Sequence, residues 1–244
     1  MNHTEVKTLE KIASEYHLNT NVPDKFIEDL IQDYCCDWLK QFINLNDEVI
    51  ELGYGEGITV SRLSPLSAKY TLIEGAPSLA KIAKDKFPKI EVITKLFEEY
   101  LPLKPYDKIL ALHVLEHVDN PVSLLKFLSK WLKPNGEIIV IVPNKDSLHR
   151  KIAHEMGLIP ELDTLSERDI LVGHQRVYNY TELSDDLRKA GFEILELKGF
   201  FIKTLPNSMM LSHSPELIRA LNTLSDELPI GLQANIGIRA RLVN

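Results

Sequence analysis

The chain has 244 residues and a formal charge of -7, enough for one sizeable domain with an appended segment and for a core that needs no disulfide or metal staple. With 44% hydrophobic and 26% charged residues the composition is that of a globular protein, which excludes disorder as the main state. The 35 acidic against 28 basic side chains oppose a polyanion, so neither nucleic acid nor an anionic membrane is an expected partner.

The polar N-terminus carries no apolar run of a signal peptide, and no stretch approaches the ~20 apolar residues of a membrane helix. The expected address is the cytoplasm. From Asp24 to Phe42, apolar residues recur at helical spacing after Pro23, and this helix holds the two cysteines, Cys35 and Cys36, as neighbours on different faces. A disulfide between them is not expected.

From Glu48 the pattern becomes short apolar runs alternating with helical stretches. The runs are 49–52, 70–73, 90–93, 108–112 and 137–142. Helices open at Pro77 and Pro121, and Pro134-Asn135-Gly136 marks a turn. After Asn144 the rhythm breaks for about thirty residues. It resumes with a helix capped by Thr181 and stopped by Gly191, a strand from Phe192 to Leu197, a mixed stretch from Leu205 to Leu228, and a last strand from Asn235 to Leu242. The expected fold is α/β: a doubly wound, mostly parallel, Rossmann-like sheet of seven strands with helices on both faces.

The densest chemical signal is Glu51-Leu52-Gly53-Tyr54-Gly55-Glu56-Gly57, a strand end running into three alternate glycines before a helix from Ile58 to Leu63. Glycine serves where backbone takes positive φ or approaches a ligand closely. The dinucleotide fingerprint requires a further glycine where Ile58 stands, and Glu51 would repel a pyrophosphate while attracting an ammonium group. Twenty-three positions on, Glu74 ends the next strand before Gly75 and is placed to accept both hydroxyls of a ribose. One acidic group for an amine and one for a ribose match S-adenosylmethionine.

On these residues the segment from Val49 to Asn144 resembles a class I S-adenosylmethionine-dependent methyltransferase of the small-molecule type. The similarity extends through Leu72-Ile73-Glu74-Gly75, Tyr106-Asp107-Lys108-Ile109 with the loop His113 to Val118, and Leu132-Lys133-Pro134-Asn135-Gly136-Glu137. Tyr54 departs from a cysteine common in the family. The resemblance implies S-adenosylmethionine as cofactor, held by Glu51, Gly53, Tyr54, Gly55, Gly57, Glu74, Gly75 and His113. Leu96 and Phe97, with Glu98, would embrace the adenine.

It further implies one domain over residues 1–244, with an N-terminal helical lid (1–45), a cofactor-binding core (46–144) and cap segments at 145–180 and 205–232. His117 and His174 are the candidate catalytic residues, since a hydroxyl acceptor needs a base near neutral pH. Tyr16, Arg176 and Tyr178 are candidates to touch a small-molecule acceptor, whose reacting group is left open between hydroxyl and amine. The run His113-Val114-Leu115-Glu116-His117 fits an inverted zinc-protease motif, but Pro121 argues for a loop where that motif needs a helix, so no metal is expected. Two other readings remain beside this one: a non-catalytic module of the same fold that binds the cofactor or a partner, and a nicotinamide oxidoreductase, disfavoured by Ile58 and Glu51. A homodimer also stays open.

Overall fold

Seven strands form one sheet in the order β3-β2-β1-β4-β5-β7-β6 in the computed structural model, which describes residues 3–243. They are β1 (Glu48–Leu52), β2 (Lys69–Glu74), β3 (Glu91–Thr94), β4 (Tyr106–Leu112), β5 (Leu132–Pro143), β6 (Phe192–Phe200) and β7 (Asn235–Leu242). The first five run parallel, and β7 lies antiparallel to both β5 and β6. The helices are α1 (His3–Ile12), α2 (Lys25–Leu39), α3 (Ile58–Leu63), α4 (Pro77–Lys86), α5 (Pro121–Leu128), α6 (Leu148–Glu155), α7 (Glu167–Leu171), α8 (Tyr180–Lys189) and α9 (Pro215–Leu224). No described helix is long and apolar enough to cross a membrane.

Successive strand residues point to opposite faces, and the buried side chains divide accordingly. Val49, Leu72, Leu110 and Ile139 pack with Ile27, Ile31 and Leu39 of α2 and with Val60 and Leu63 of α3. Their neighbours Ile50, Ile73, Ile109 and Ile138 pack on the other face with Leu124, Leu125 and Leu128 of α5 and Leu183 and Leu187 of α8. Both faces are covered, which is why the central strands read as unbroken apolar runs. Each fully buried aliphatic side chain contributes roughly 1.5–3 kcal/mol through burial.

Several boundaries differ from the sequence reading for local reasons. β5 begins at Leu132, because Leu132 already pairs with Tyr106 before the register shifts to Lys108 opposite Glu137. Pro134-Asn135-Gly136, with Asn135 at φ 64°, is the irregularity inside that strand. α8 is capped by Asn179, one residue before Tyr180, in a reciprocal box with Glu182, so Thr181 is a helical residue. α5 ends at Leu128 and continues only as a tight turn over Ser129–Trp131.

Candidate functional site

The sheet order reverses between β1 and β4, since β2 and β3 extend one way from β1 and β4 and β5 the other. The carboxyl ends of strands at such a switch point leave a crevice. Here it opens into a cavity of about 1530 Å³, above the roughly 300–1,000 Å³ of an ordinary small-ligand pocket.

The glycine turn forms one wall. Gly53, Gly55 and Gly57 have φ of 83°, 52° and 75°, backbone that L-residues enter at a cost. A Cβ on Gly53 or Gly55 would meet nothing within 4 Å, whereas one on Gly57 would lie 2.6 Å from the Tyr54 ring. The first two glycines therefore border open space, and the third accommodates the buried tyrosine beneath the turn.

Glu51 is 2% exposed. Its carboxyl accepts hydrogen bonds from Thr59 and, at 2.6 Å, from the Tyr70 hydroxyl. Burial pushes it up to about 7 against the pull of those two bonds. Glu74 accepts from the backbone N–H of Tyr54 at 2.8 Å and of Ala76 at 2.6 Å. Burial raises its pKa as well, with the backbone N–H groups opposing. One acidic side chain thus lies at the last or next-to-last position of each of two adjacent strands on the cavity wall, where Gly75, Leu96 and Phe97 also lie. The open space at Gly53 and Gly55 and the two carboxyls on the same wall fit S-adenosylmethionine.

The N-terminal segment closes over this wall. Glu10 accepts from the Ser78 N–H at 2.7 Å, and Glu56 lies 2.9 Å from His17 Nδ1 and 3.2 Å from Lys25 Nζ. Burial would raise Glu56, but His17 and Lys25 hold it below the usual range. Tyr16 lines the cavity and receives an N–H from Arg168 at 2.5 Å.

The loop after β4 forms the floor. His113 takes φ 56° and its Nδ1 lies 3.2 Å from Glu116 Oε1. Burial works to raise Glu116, yet the His113 hydrogen bond and the nearby imidazoles hold it low. The His117 and His174 rings meet edge to face with centroids 4.7 Å apart. His174 Nδ1 lies 2.9 Å from Asp169 Oδ1, and its Nε2 is 4.0 Å from Glu116 Oε1. Asp169 also closes a capping box with Ser166 and lies 3.4 Å from Arg150. Against burial, the His174 hydrogen bond and charge and the Ser166 hydrogen bonds hold Asp169 far below the carboxylate range. Burial lowers His117, which favours its neutral form. Donor atoms of Glu116, His117 and His174 lie within 4.8 Å of one another, a set that could hold a metal ion.

Three expected residues lie off the cavity wall. Gly57 caps the start of α3. Arg176 donates to the carbonyls of Leu115, Val118 and Asp119 and so fixes the loop after β4. Tyr178 is 3% exposed, with its hydroxyl donating to Asp186. For the last two this corrects the expectation of direct acceptor contact, because their polar atoms are already engaged by the scaffold. Sequence reasoning missed Asp169, whose only signal is the Ser166-x-x-Asp169 capping pattern. It also missed Glu28, His149 and Lys203, which line the cavity from α2, α6 and the segment after β6 and carry no motif.

Residues 26–197 match the model of a family described as a methyltransferase domain. The chain belongs to this family. The methyltransferase uses S-adenosylmethionine as its cofactor, in keeping with the glycine turn and its two carboxyls. It is 28% identical over 180 residues, 70% of this chain and 72% of the relative, to the ubiquinone biosynthesis O-methyltransferase of Rickettsia canadensis. A protein of the same name from Rickettsia bellii is 24% identical over 231 residues, 87% and 90% of the two chains. Among solved structures, a possible histamine N-methyltransferase of Thermotoga maritima shares the fold with a TM-score of 0.61 at 21% identity, covering 96% of this chain and 99% of its own. The N-methyltransferase NodS of Bradyrhizobium japonicum, bound to S-adenosyl-L-homocysteine, gives 0.58 at 12% identity over 98% of each chain.

Proposed function

We propose that the methyltransferase acts on a hydroxyl group of a small molecule, with His174 as the base that takes the hydroxyl proton. The Asp169–His174 pair carries this reading. A donor at Nδ1 bound to a carboxylate leaves Nε2 as the proton-accepting nitrogen, and a base is needed for a hydroxyl but not for an amine that arrives uncharged. The O-methyltransferase names of the relatives favour the same acceptor.

When bound, S-adenosylmethionine supplies a methyl group on a sulfonium, a carbon that needs no further activation. The chain's own work is alignment and exclusion of water. With the cofactor bound, Glu74 would take the ribose hydroxyls, Leu96 and Phe97 would flank the adenine, and Glu51 would face the ammonium. Residues of α1 and Tyr16 act as a lid, and His117, kept neutral by burial, walls the acceptor beside His174. Asp169 is a positioning residue that fixes the tautomer.

Turnover of catechol and of primary amines, read by release of S-adenosylhomocysteine, tests the reading. His174→Gln should lower kcat on catechol by about 100-fold or more, the low end of general-base effects. Asp169→Asn should act in the same direction, and S-adenosylhomocysteine affinity should change less than twofold in both. Dialysis against a chelator should leave the rate intact. Amine turnover that exceeds catechol turnover and ignores His174→Gln would overturn the hydroxyl assignment, and a chelator-sensitive rate would transfer His174 to metal ligation.

A further inference from the structure

Beyond the base, one part of the cavity wall carries polar groups with hydrogen-bonding capacity left unused. Lys203 follows β6, its side chain is 12% exposed, and the nearest carboxylate oxygen, on Glu28 of α2, is 3.7 Å away. That is too far for a hydrogen bond, and no described acceptor takes a hydrogen bond from its ammonium. Asn207 donates its amide N–H to Glu28, while its Oδ1 is buried without a partner. On α6, His149 Nδ1 is buried and equally unpartnered. Burial, then the Lys203 and Arg150 charges, push His149 well down, so the imidazole is neutral. Leaving such atoms unsatisfied costs roughly 1–3 kcal/mol each. Three parts of the chain, α2, α6 and the segment after β6, bring these groups to one cavity, which is what a ligand subsite requires and a structural network does not.

The charges at this end are already matched. Lys203 faces Glu28, Arg168 pairs with Asp24, and Arg150 pairs with Asp169. The atoms left over are donors on Lys203, an acceptor on Asn207 and one imidazole nitrogen. A carboxylate on the ligand would satisfy Lys203 but offers nothing to Asn207 Oδ1, and it would unbalance the three pairs. An ammonium would satisfy Asn207 and face Lys203 with like charge. A hydroxyl both accepts and donates and carries no charge.

We propose that Lys203, Asn207 and His149 form an acceptor subsite for a neutral, hydroxyl-bearing part of the substrate, a diol or polyol in chemical class. Lys203 donates to a ligand oxygen, and the same hydroxyl or its neighbour donates to Asn207 Oδ1. Glu28 orients both side chains, one by charge and one by its hydrogen bond. The subsite rests on the hydroxyl-methyltransferase reading for its purpose, but its chemistry is measurable without turnover.

The probes are catechol, benzoate and benzylamine, titrated by ligand-observed NMR into protein saturated with S-adenosylhomocysteine. Catechol should bind more tightly than either charged probe. Asn207→Leu should weaken catechol at least fivefold. So should the paired change Lys203→Met with Glu28→Gln, which removes the ammonium without stranding a buried carboxylate. S-adenosylhomocysteine affinity reports folding in every variant. Loss of that affinity in the parent protein would remove the methyltransferase reading itself. Retained cofactor affinity with preferred benzoate, or with catechol indifferent to both changes, would overturn the subsite alone.

Discussion

Glu51 lies under the glycine turn at the expense of stability, and replacing it with glutamine measures that cost. Burial lifts its carboxyl from the usual 4.5 to about 7. A folded value above the unfolded one means that the fold favours the protonated form. The contribution of Glu51 is therefore most favourable below about 4.5 and is lost as pH rises through 7. Each tenfold change in a protonation equilibrium is worth about 1.36 kcal/mol, so the ionised carboxylate costs about 3 kcal/mol at pH 8. Glu51→Gln removes that charge. Its amide still accepts one hydroxyl hydrogen bond, from Thr59 or Tyr70, and the other hydroxyl must turn to accept, at about 1 kcal/mol. The cofactor-free variant should be more stable than the parent by about 2 kcal/mol at pH 8. At about 2–4 °C per kcal/mol for a chain of this size, that is about 4–8 °C in Tm. At pH 5 the difference should vanish or change sign. Thermal unfolding of both proteins at pH 5, 6.5 and 8 reads this difference and cancels the titration of every other group. S-adenosylhomocysteine should bind the variant at least tenfold more weakly, because the anion facing its ammonium is gone. A difference independent of pH, or a variant less stable throughout, would show that Glu51 is not held protonated by burial.

Gly57→Ala should lose about 2 kcal/mol or more in urea unfolding, since the left-handed backbone costs about 1–2 kcal/mol and the new Cβ meets the Tyr54 ring at 2.6 Å. Adding Tyr54→Ala should relieve only the overlap, as seen by comparing the double variant with Tyr54→Ala alone; a pair of losses that simply add would refute the contact. Glu74→Ala should weaken S-adenosylhomocysteine by about 10–100-fold in calorimetry, the equivalent of one or two charge-assisted hydrogen bonds. An affinity within twofold of the parent would remove Glu74 from the ribose.

The glycine-turn wall of the crevice, proposed here for the cofactor, is legible because its residues are written in contiguous sequence. A strand end, its carboxylate and the alternating glycines fall within seven residues from Glu51 to Gly57, and the second carboxylate ends the next strand. The register of parallel strands then places Glu51 opposite Leu72 and Glu74 opposite Thr94, so position in the chain becomes position on the sheet edge. Elements with strong period, such as β7 over Asn235–Leu242 and α3 over Ile58–Leu63, were read to the residue. Ends decided by tertiary pairing were not: Leu132 joins β5 through its bond to Tyr106 across an irregular Pro134-Asn135-Gly136, and no local propensity would extend a strand through a proline.

The opposite wall has no such linear code. Glu28, His149, Asp169, His174 and Lys203 are spread over 176 positions, from 28 to 203, and meet only because α2, α6, α7 and the turn after β6 converge over one end of the sheet. Arg176 and Tyr178 show the same principle from the other side. They sit beside His174 in sequence, which makes them attractive as acceptor contacts, but two residues of chain carry Arg176 under the loop after β4 and four carry Tyr178 into the core. What distinguishes His174 from its neighbours is Asp169 five residues earlier, reached because the short α7 turns the chain back on itself, with the His174 N–H donating to the Asp169 carbonyl at 2.8 Å. The proposed base is thus built by a local return of the chain and the proposed acceptor pocket by distant convergence. On the proposed reading, changes at His149 or after β6 should therefore alter what the enzyme accepts while leaving the Asp169–His174 pair and the glycine-turn wall in place.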